Sequence, residues 1–394
     1  MSEVDEIDLN GAIIFASLSA ELWCCKPFVK LNLKEKRMDV LIPFLTAFIL
    51  SFAAILAVNP LADKLGLLDL PNERKCHDGA VPLIGGIAIF IGVLFTSTIF
   101  IESSQTLNLY LISSALILFI GVLDDRYDLS VRVRLVAQVI VASILIFGAG
   151  LYLTSFGKIF YFFEFELGYL GIIVTILAVI GSINAFNMVD GIDGLAGMLS
   201  LVTFSSLTVL FFLANNDWYL IPLLFDAAIL AYLLFNLRWP FAEFEKIFMG
   251  DAGSMLIGLT VVWLLVLGTQ PLHSSMLNFE HSSVFSPVTA LYLIAIPLMD
   301  MAAIMYRRVK KGLSPFKPDR DHLHHIFERA GYNRKQTLTR ITCLSILLAS
   351  LGLIGELYHV AEWIMFSGFI CLFLAYNWAL AHVWQIITWL KRNE

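Results

Sequence analysis

Apolar residues come in long runs along this chain, and those runs set the first expectation. Between Val40 and Val58 aliphatic and aromatic side chains follow one another with no polar–apolar alternation. A closed barrel would need short alternating segments. Continuous runs of about 20 residues instead suit helices crossing about 30 Å of hydrocarbon. Eleven such segments are predicted, at 40–59, 83–101, 107–123, 135–153, 167–186, 195–213, 219–236, 253–268, 287–306, 340–358 and 361–381. Lipid offers no partner to a free peptide N–H or C=O, so each must be helical. The predicted class is an all-α polytopic membrane protein with functional loops at one membrane face. Residues 40–390 form one integral membrane domain, and 1–39 are an N-terminal extension.

Composition agrees with this. Of 394 residues, 59% are hydrophobic and 15% charged, against about 25% charged in soluble domains. The Lys and Arg positions orient the spans. One set of loops holds Lys64, Arg74 and Lys75, then Arg126, Arg132 and Arg134, then Arg238 and Lys246, then the stretch from Arg307 to Arg340. The opposite set holds Lys158 alone. Cytoplasmic loops carry the excess of basic residues, so the first set is expected in the cytoplasm. The basic cluster from Lys26 to Arg37 disagrees with the outside position that an odd span count gives the N-terminus. Met38 just before the first span suggests an extension without chemistry. The five cysteines show neither metal-ligand spacing nor disulfide density.

Polar residues at the basic ends of the spans carry the candidate chemistry. "GVLDDRYDLS" sets Asp124 and Asp125 side by side at the end of a span. Like charges this close raise one another's pKa unless a cation intervenes. The bland alternative is a solvated turn with Asp128 paired to Arg132. "NAFNMVDGIDGLAG" spaces Asn184, Asn187, Asp190 and Asp193 three residues apart, with Gly191 and Gly194 among them. It reads either as a ligand loop or as a glycine-capped helix end. "KIFMGDAGS" places Asp251 at a helix start, where free N–H groups favour anions. Phe248 there could stack on a base or anchor at the interface.

"SPFKPDRDHLHHIFERAGY" reads as a short helix capped near Asp319, with Leu323, Ile326, Phe327 and Ala330 as its apolar stripe. His322, His325 and Arg329 share an adjoining face, near Arg307 and Arg308. Lys75, in "LPNERKCHDGAVPLIGG", is a candidate phosphate binder. Carboxylates for a divalent cation and bases with cations for phosphate thus meet at one face, as phosphoryl transfer from a nucleotide diphosphate requires. Asp226 and Asp300 lie inside predicted spans. Intramembrane acids mark ion pathways by default, so a proton-coupled transporter is the rival class.

Taken together, the DDR segment, "NAFNMVDGIDGL", "FMGDAGS" and "SPFKPDRDHLHH" resemble the polyprenyl-phosphate N-acetylhexosamine-1-phosphate transferases, from about Leu41 to the last spans. The resemblance implies transfer of GlcNAc-1-phosphate from UDP-GlcNAc to undecaprenyl phosphate with Mg²⁺ or Mn²⁺, releasing UMP at the cytoplasmic face of a bacterial inner membrane. It implies an early step in O-antigen-type glycan synthesis; another UDP-N-acetylhexosamine is the alternative donor. By motif, Asp124 and Asp125 match the catalytic pair, and Asp251 with Asn187 the metal site. Asp190, Asp193, Phe248, Arg308, His322, His324 and His325 match substrate-binding positions, and Lys75 joins them as the candidate phosphate binder. No nucleic acid is expected, and the resemblance allows a homodimer. Asp226 matches no motif of the family.

Overall fold

A computed structural model describes residues 33–70, 79–240, 243–273, 280–281, 283–314 and 322–382. Two compact units divide the chain, Met1–Ile42 and Pro43–Glu394, and the second carries every site discussed below. The first helix, α1 (Leu33–Val58), passes through a 3₁₀ turn into the short α2 (Ala62–Leu65). Two-residue strands β1 (Leu68–Asp69) and β2 (Val81–Pro82) pair antiparallel. Then come α3 (Gly85–Phe100), α4 (Gln105–Tyr127) and α5 (Val131–Ser143), which ends in a π turn to Gly148. The chain continues through α6 (Leu170–Val189), α7 (Leu195–Leu213), α8 (Leu220–Asn236) and α9 (Gly250–Thr269). Last are α10 (Pro287–Leu293), α11 (Ala295–Lys310), the short α12 (Leu323–Arg329), α13 (Arg334–Leu357) and α14 (Glu362–Ala381).

Among the described residues nine helical segments are long and apolar enough to cross a membrane. Each of the eleven predicted segments overlaps one of these nine, the bent pair α10–α11, or the shorter α3. The all-α polytopic class therefore holds, with two differences. First, 287–306 is not one rod. α10 and α11 meet at Ile294 and are bent by 83°. The ring of Pro297 would collide with the carbonyl four residues back, at Leu293, which is where α10 stops. Second, α3 begins only at Gly85, because Leu83 and the residues before it pair elsewhere. Leu83 N–H donates to Leu67, and Pro82 accepts from Phe248 N–H at 2.8 Å.

The post of the bundle is α9, buried on every side from Ala252 to Thr269. A helix apolar all round belongs in the centre, and small residues let neighbours close on it. A Cβ on Gly121 of α4 would fall 2.3 Å from Ala252 Cα, and one on Gly86 of α3 would fall 2.2 Å from Gly253 N. Those two contacts bring the starts of α3 and α9 and the end of α4 to one level of the membrane. Some polar groups inside are paired across helices, as in Tyr110 Oη with Thr260 Oγ1 at 2.9 Å.

Candidate active site

Where α4 ends, its two aspartates diverge. Asp124 is buried, with Oδ1 accepting from Leu129 N–H at 2.8 Å and Oδ2 paired with Arg134 at 3.0 Å. Asp128 takes a left-handed backbone (φ 51°) that closes the helix, and Asp124 holds Arg134, the second arginine of α5. Asp125 points the other way. Its Oδ1 accepts from Asp251 N–H at 2.7 Å, and its Oδ2 from Ala252 N–H at 3.1 Å. The first N–H groups of any helix lack internal partners and carry partial positive charge. Here a carboxylate from α4 satisfies two of them at the head of α9. Gly250 makes room: its φ is +73°, and a Cβ there would sit 2.5 Å from Asp125 Oδ2.

With its backbone held, Asp251 turns its side chain toward α6. Asn187 Nδ2 donates to Asp251 Oδ1 at 2.6 Å and to Ser254 Oγ at 3.0 Å. Asn184 leaves the cluster, binding Gln138 and the Ile180 carbonyl. The expected spacing of three continues only to the end of α6, where Asp190 caps the helix. Packing around Asp190 pushes its carboxyl up to about 7, and the charges of Asp251 and Asp193 push in the same direction. Asp193, one turn on, binds Lys246 Nζ at 2.7 Å. That ammonium also lies 5.0 Å above the centroid of Phe248. The backbone of Phe248 is fixed, donating to Pro82 and accepting from Gly85 N–H at 2.9 Å.

Histidines reach the same cluster from the other half of the bundle. Asp300 of α11, 1% exposed, accepts from Leu323 N–H at 3.2 Å and Tyr376 Oη at 2.9 Å. Its second oxygen lies 3.1 Å from His322 Nδ1. His324 is buried against the acidic turn: a Cβ on Gly191 would fall 2.2 Å from its Nε2, which has no hydrogen-bond partner. Burial, then the neighbouring His325 and His322, press its pKa down to about 3. His325 approaches Glu328 at 3.4 Å. Arg308 is buried at the end of α11. Lys75 lies outside the described residues, as does Asp319, and the described start of α12 is capped at His322.

The structure thus joins Asp125, Asn187 and Asp251 directly, links Asp193 to Phe248 through Lys246, and sets Asp190 within electrostatic reach of Asp251 and Asp193. Three contributors escaped the sequence reading. Lys246 had a usable signal, since residues two apart in an extended segment share a face. Arg134 and Tyr376 had none: their partners are 10 and 76 residues away.

Comparison with known proteins fits this site. The model of glycosyl transferase family 4 matches residues 107–269, the stretch from α4 to α9. A Pasteurella multocida undecaprenyl-phosphate alpha-N-acetylglucosaminyl 1-phosphate transferase is 46% identical over 90% of this chain and 97% of its own. Proteins of the same name from Haemophilus influenzae and Escherichia coli K12 are each 43% identical, over 91% and 92% of this chain and 97% and 95% of their own. With near half its residues shared along almost its whole length, and the acidic cluster assembled at one end of the bundle, the chain belongs to the family of undecaprenyl-phosphate alpha-N-acetylglucosaminyl 1-phosphate transferases.

Proposed function

We propose that the protein transfers GlcNAc-1-phosphate from UDP-GlcNAc to undecaprenyl phosphate, at the cytoplasmic face of a bacterial inner membrane, and releases UMP. The observation that carries this reading is the Asp125–Asp251–Asn187 junction, where three spans deliver a carboxylate cluster to one membrane end. The basic loops share that end by the charge count of the sequence.

A divalent cation fits the residues present. Among the described residues no group of three or more His, Cys, Asp or Glu side chains forms a metal cage. Mg²⁺ rarely uses such cages; it takes one or two carboxylates together with substrate phosphates. Asp251 would hold it, with the Asn187 carbonyl oxygen beside it, since the Asn187 amide nitrogen is already committed. Burial raises Asp190 first, and the charges of Asp251 and Asp193 add to it; such an ion would relieve that added repulsion. When bound, it would neutralise charge on the diphosphate.

The protein's own groups supply the rest. Asp125 fixes the start of α9, and Asn187 fixes the Asp251 carboxylate. Phe248 offers a rigid ring for the uracil. Asp124 and the half-exposed Arg134 bring a base and a cation to the acceptor phosphate. His322, oriented by Asp300, faces the donor. The lipid phosphate oxygen attacks the phosphorus that bears the sugar, and the bond to the UMP oxygen breaks, in one displacement. Purified protein in detergent should release UMP only with UDP-GlcNAc, undecaprenyl phosphate and Mg²⁺ all present, and Asp251→Asn should abolish it. Labelling of the enzyme by donor alone would replace the single displacement by a covalent one. Turnover with a different UDP-sugar would correct the donor.

A further inference from the structure

The geometry points to Lys246 as a donor-binding residue, a cation held in waiting by Asp193 and transferred to the donor's diphosphate when the nucleotide occupies Phe248. This rests on the transferase reading above and adds to it a residue that the motif comparison leaves unassigned.

Three observations carry it. Lys246 Nζ sits 2.7 Å from Asp193 Oδ2 and 5.0 Å over the Phe248 ring. A nucleobase stacked on that face of the ring would need the space that the ammonium fills, so nucleotide binding moves the cation. The second observation is that Lys246 is cheaply moved. Its side chain and that of Asp193 are 23% and 29% exposed, and partly solvated ion pairs and cation–π contacts are each weak. The third is local charge. Asp190, Asp193 and Asp251 bring three carboxyl groups to the same end of the bundle. A diphosphate entering among them adds negative charge. Lys246 is a flexible ammonium already inside the cluster, and a lysine is a point-charge phosphate ligand. Its neighbour Ile247 is fully buried, which anchors the stem while the terminal carbons swing.

The test uses the full-length protein in detergent. Binding is read by thermal stabilisation with UDP-GlcNAc and Mg²⁺ without lipid, and turnover by UMP release. Lys246→Ala should unfold within a few degrees of wild type without donor. It should need at least 10-fold more UDP-GlcNAc for half-stabilisation and show a donor KM raised by a similar factor. Its KM for undecaprenyl phosphate should stay within twofold. Lys246→Arg should recover most of the donor affinity. Lys158→Ala, an exposed lysine in the loop after α5, serves as the charge-matched control and should match wild type. A donor requirement within twofold of wild type for Lys246→Ala overturns the proposal. So does an equal rise in donor and acceptor KM. Wild-type protein that binds donor yet releases no UMP would defeat the transferase reading, while the binding comparison would still decide the role of Lys246.

Discussion

Asp125 on α4 closes the head of α9 by accepting the N–H groups of Asp251 and Ala252, so one carboxylate orients the backbone from which the other projects. The two acids therefore fail differently when substituted. Asp125→Ala strips the helix of its cap, a loss that typically costs about 1 kcal/mol, and lets the Asp251 carboxylate shift. Lowered thermal stability together with at least 100-fold loss of UMP release is expected. Asp251→Asn keeps an oxygen for Asn187 and leaves the backbone untouched, so its activity should vanish at unchanged melting temperature. Melting curves and turnover on the same two preparations check the contrast; equal stability for both variants would remove the capping role.

How much of this was legible in the sequence depends on the range of each interaction. The spans were readable because lipid imposes one solution on a long apolar run, and Pro297 is the local feature that breaks the ninth of them. The acidic motifs were readable as residue types at span ends. Their roles were not. The hydrogen bond from Asp251 to Asp125 links residues 126 apart, and nothing near either one announces it. The histidine segment is similar. It reads as one polar face, yet His322 is tied to Asp300 while His324 is buried against Gly191. Burial is decided by the turn after α6 and by α11, not by the spacing of the histidines.

Tyr376 brings the last span into the site. Its hydroxyl donates to the Asp300 oxygen that also accepts from Leu323 N–H. The other Asp300 oxygen holds His322 Nδ1, which in the proposed reaction leaves Nε2 for the donor, as when a carboxylate orients a catalytic imidazole. Tyr376→Phe removes one bond to the carboxylate and should lower kcat about 3- to 10-fold with little change in donor KM. Asp300→Asn presents a donor where an acceptor is needed, and should cost at least 100-fold. A merely structural role would lower stability without moving the pH profile of kcat; displacement of that profile in Asp300→Asn is the distinguishing result.

His324 makes stability depend on pH. Its folded pKa is pressed to about 3, whereas the unfolded imidazole titrates near 6.5. Below about 6.5 the unfolded chain takes a proton that the folded chain refuses. Folding stability contributed here is complete above that pH and falls as pH drops toward 3, by up to about 1.4 kcal/mol per unit. Asp190 acts oppositely: its pKa is raised to about 7, so its share of stability is lost as pH rises toward that value. Comparing His324→Leu with wild type isolates the histidine. Between pH 7 and 5 the melting temperature of wild type should fall relative to the variant. Parallel curves would mean that the buried ring takes its proton without penalty.

Asp226 is the acid that the chemistry does not use. It lies within α8, 7% exposed, far along the helix from Asn236, and its Oδ2 accepts from Ser205 Oγ of α7 at 3.1 Å. Oδ1 has no partner. An ionised carboxylate in that setting would be costly, and a chain of exchangeable groups leading away from it is what a proton carrier would need. Ser205 is instead a single interhelical tie. Asparagine preserves both the volume and the acceptor for that serine, so Asp226→Asn should keep UMP release within about twofold and change melting by a few degrees at most. The measurement is turnover in detergent and again in vesicles with an imposed proton gradient. A loss beyond 10-fold in a folded protein, or a gradient effect that the substitution removes, would restore the transport reading that intramembrane acids first suggest.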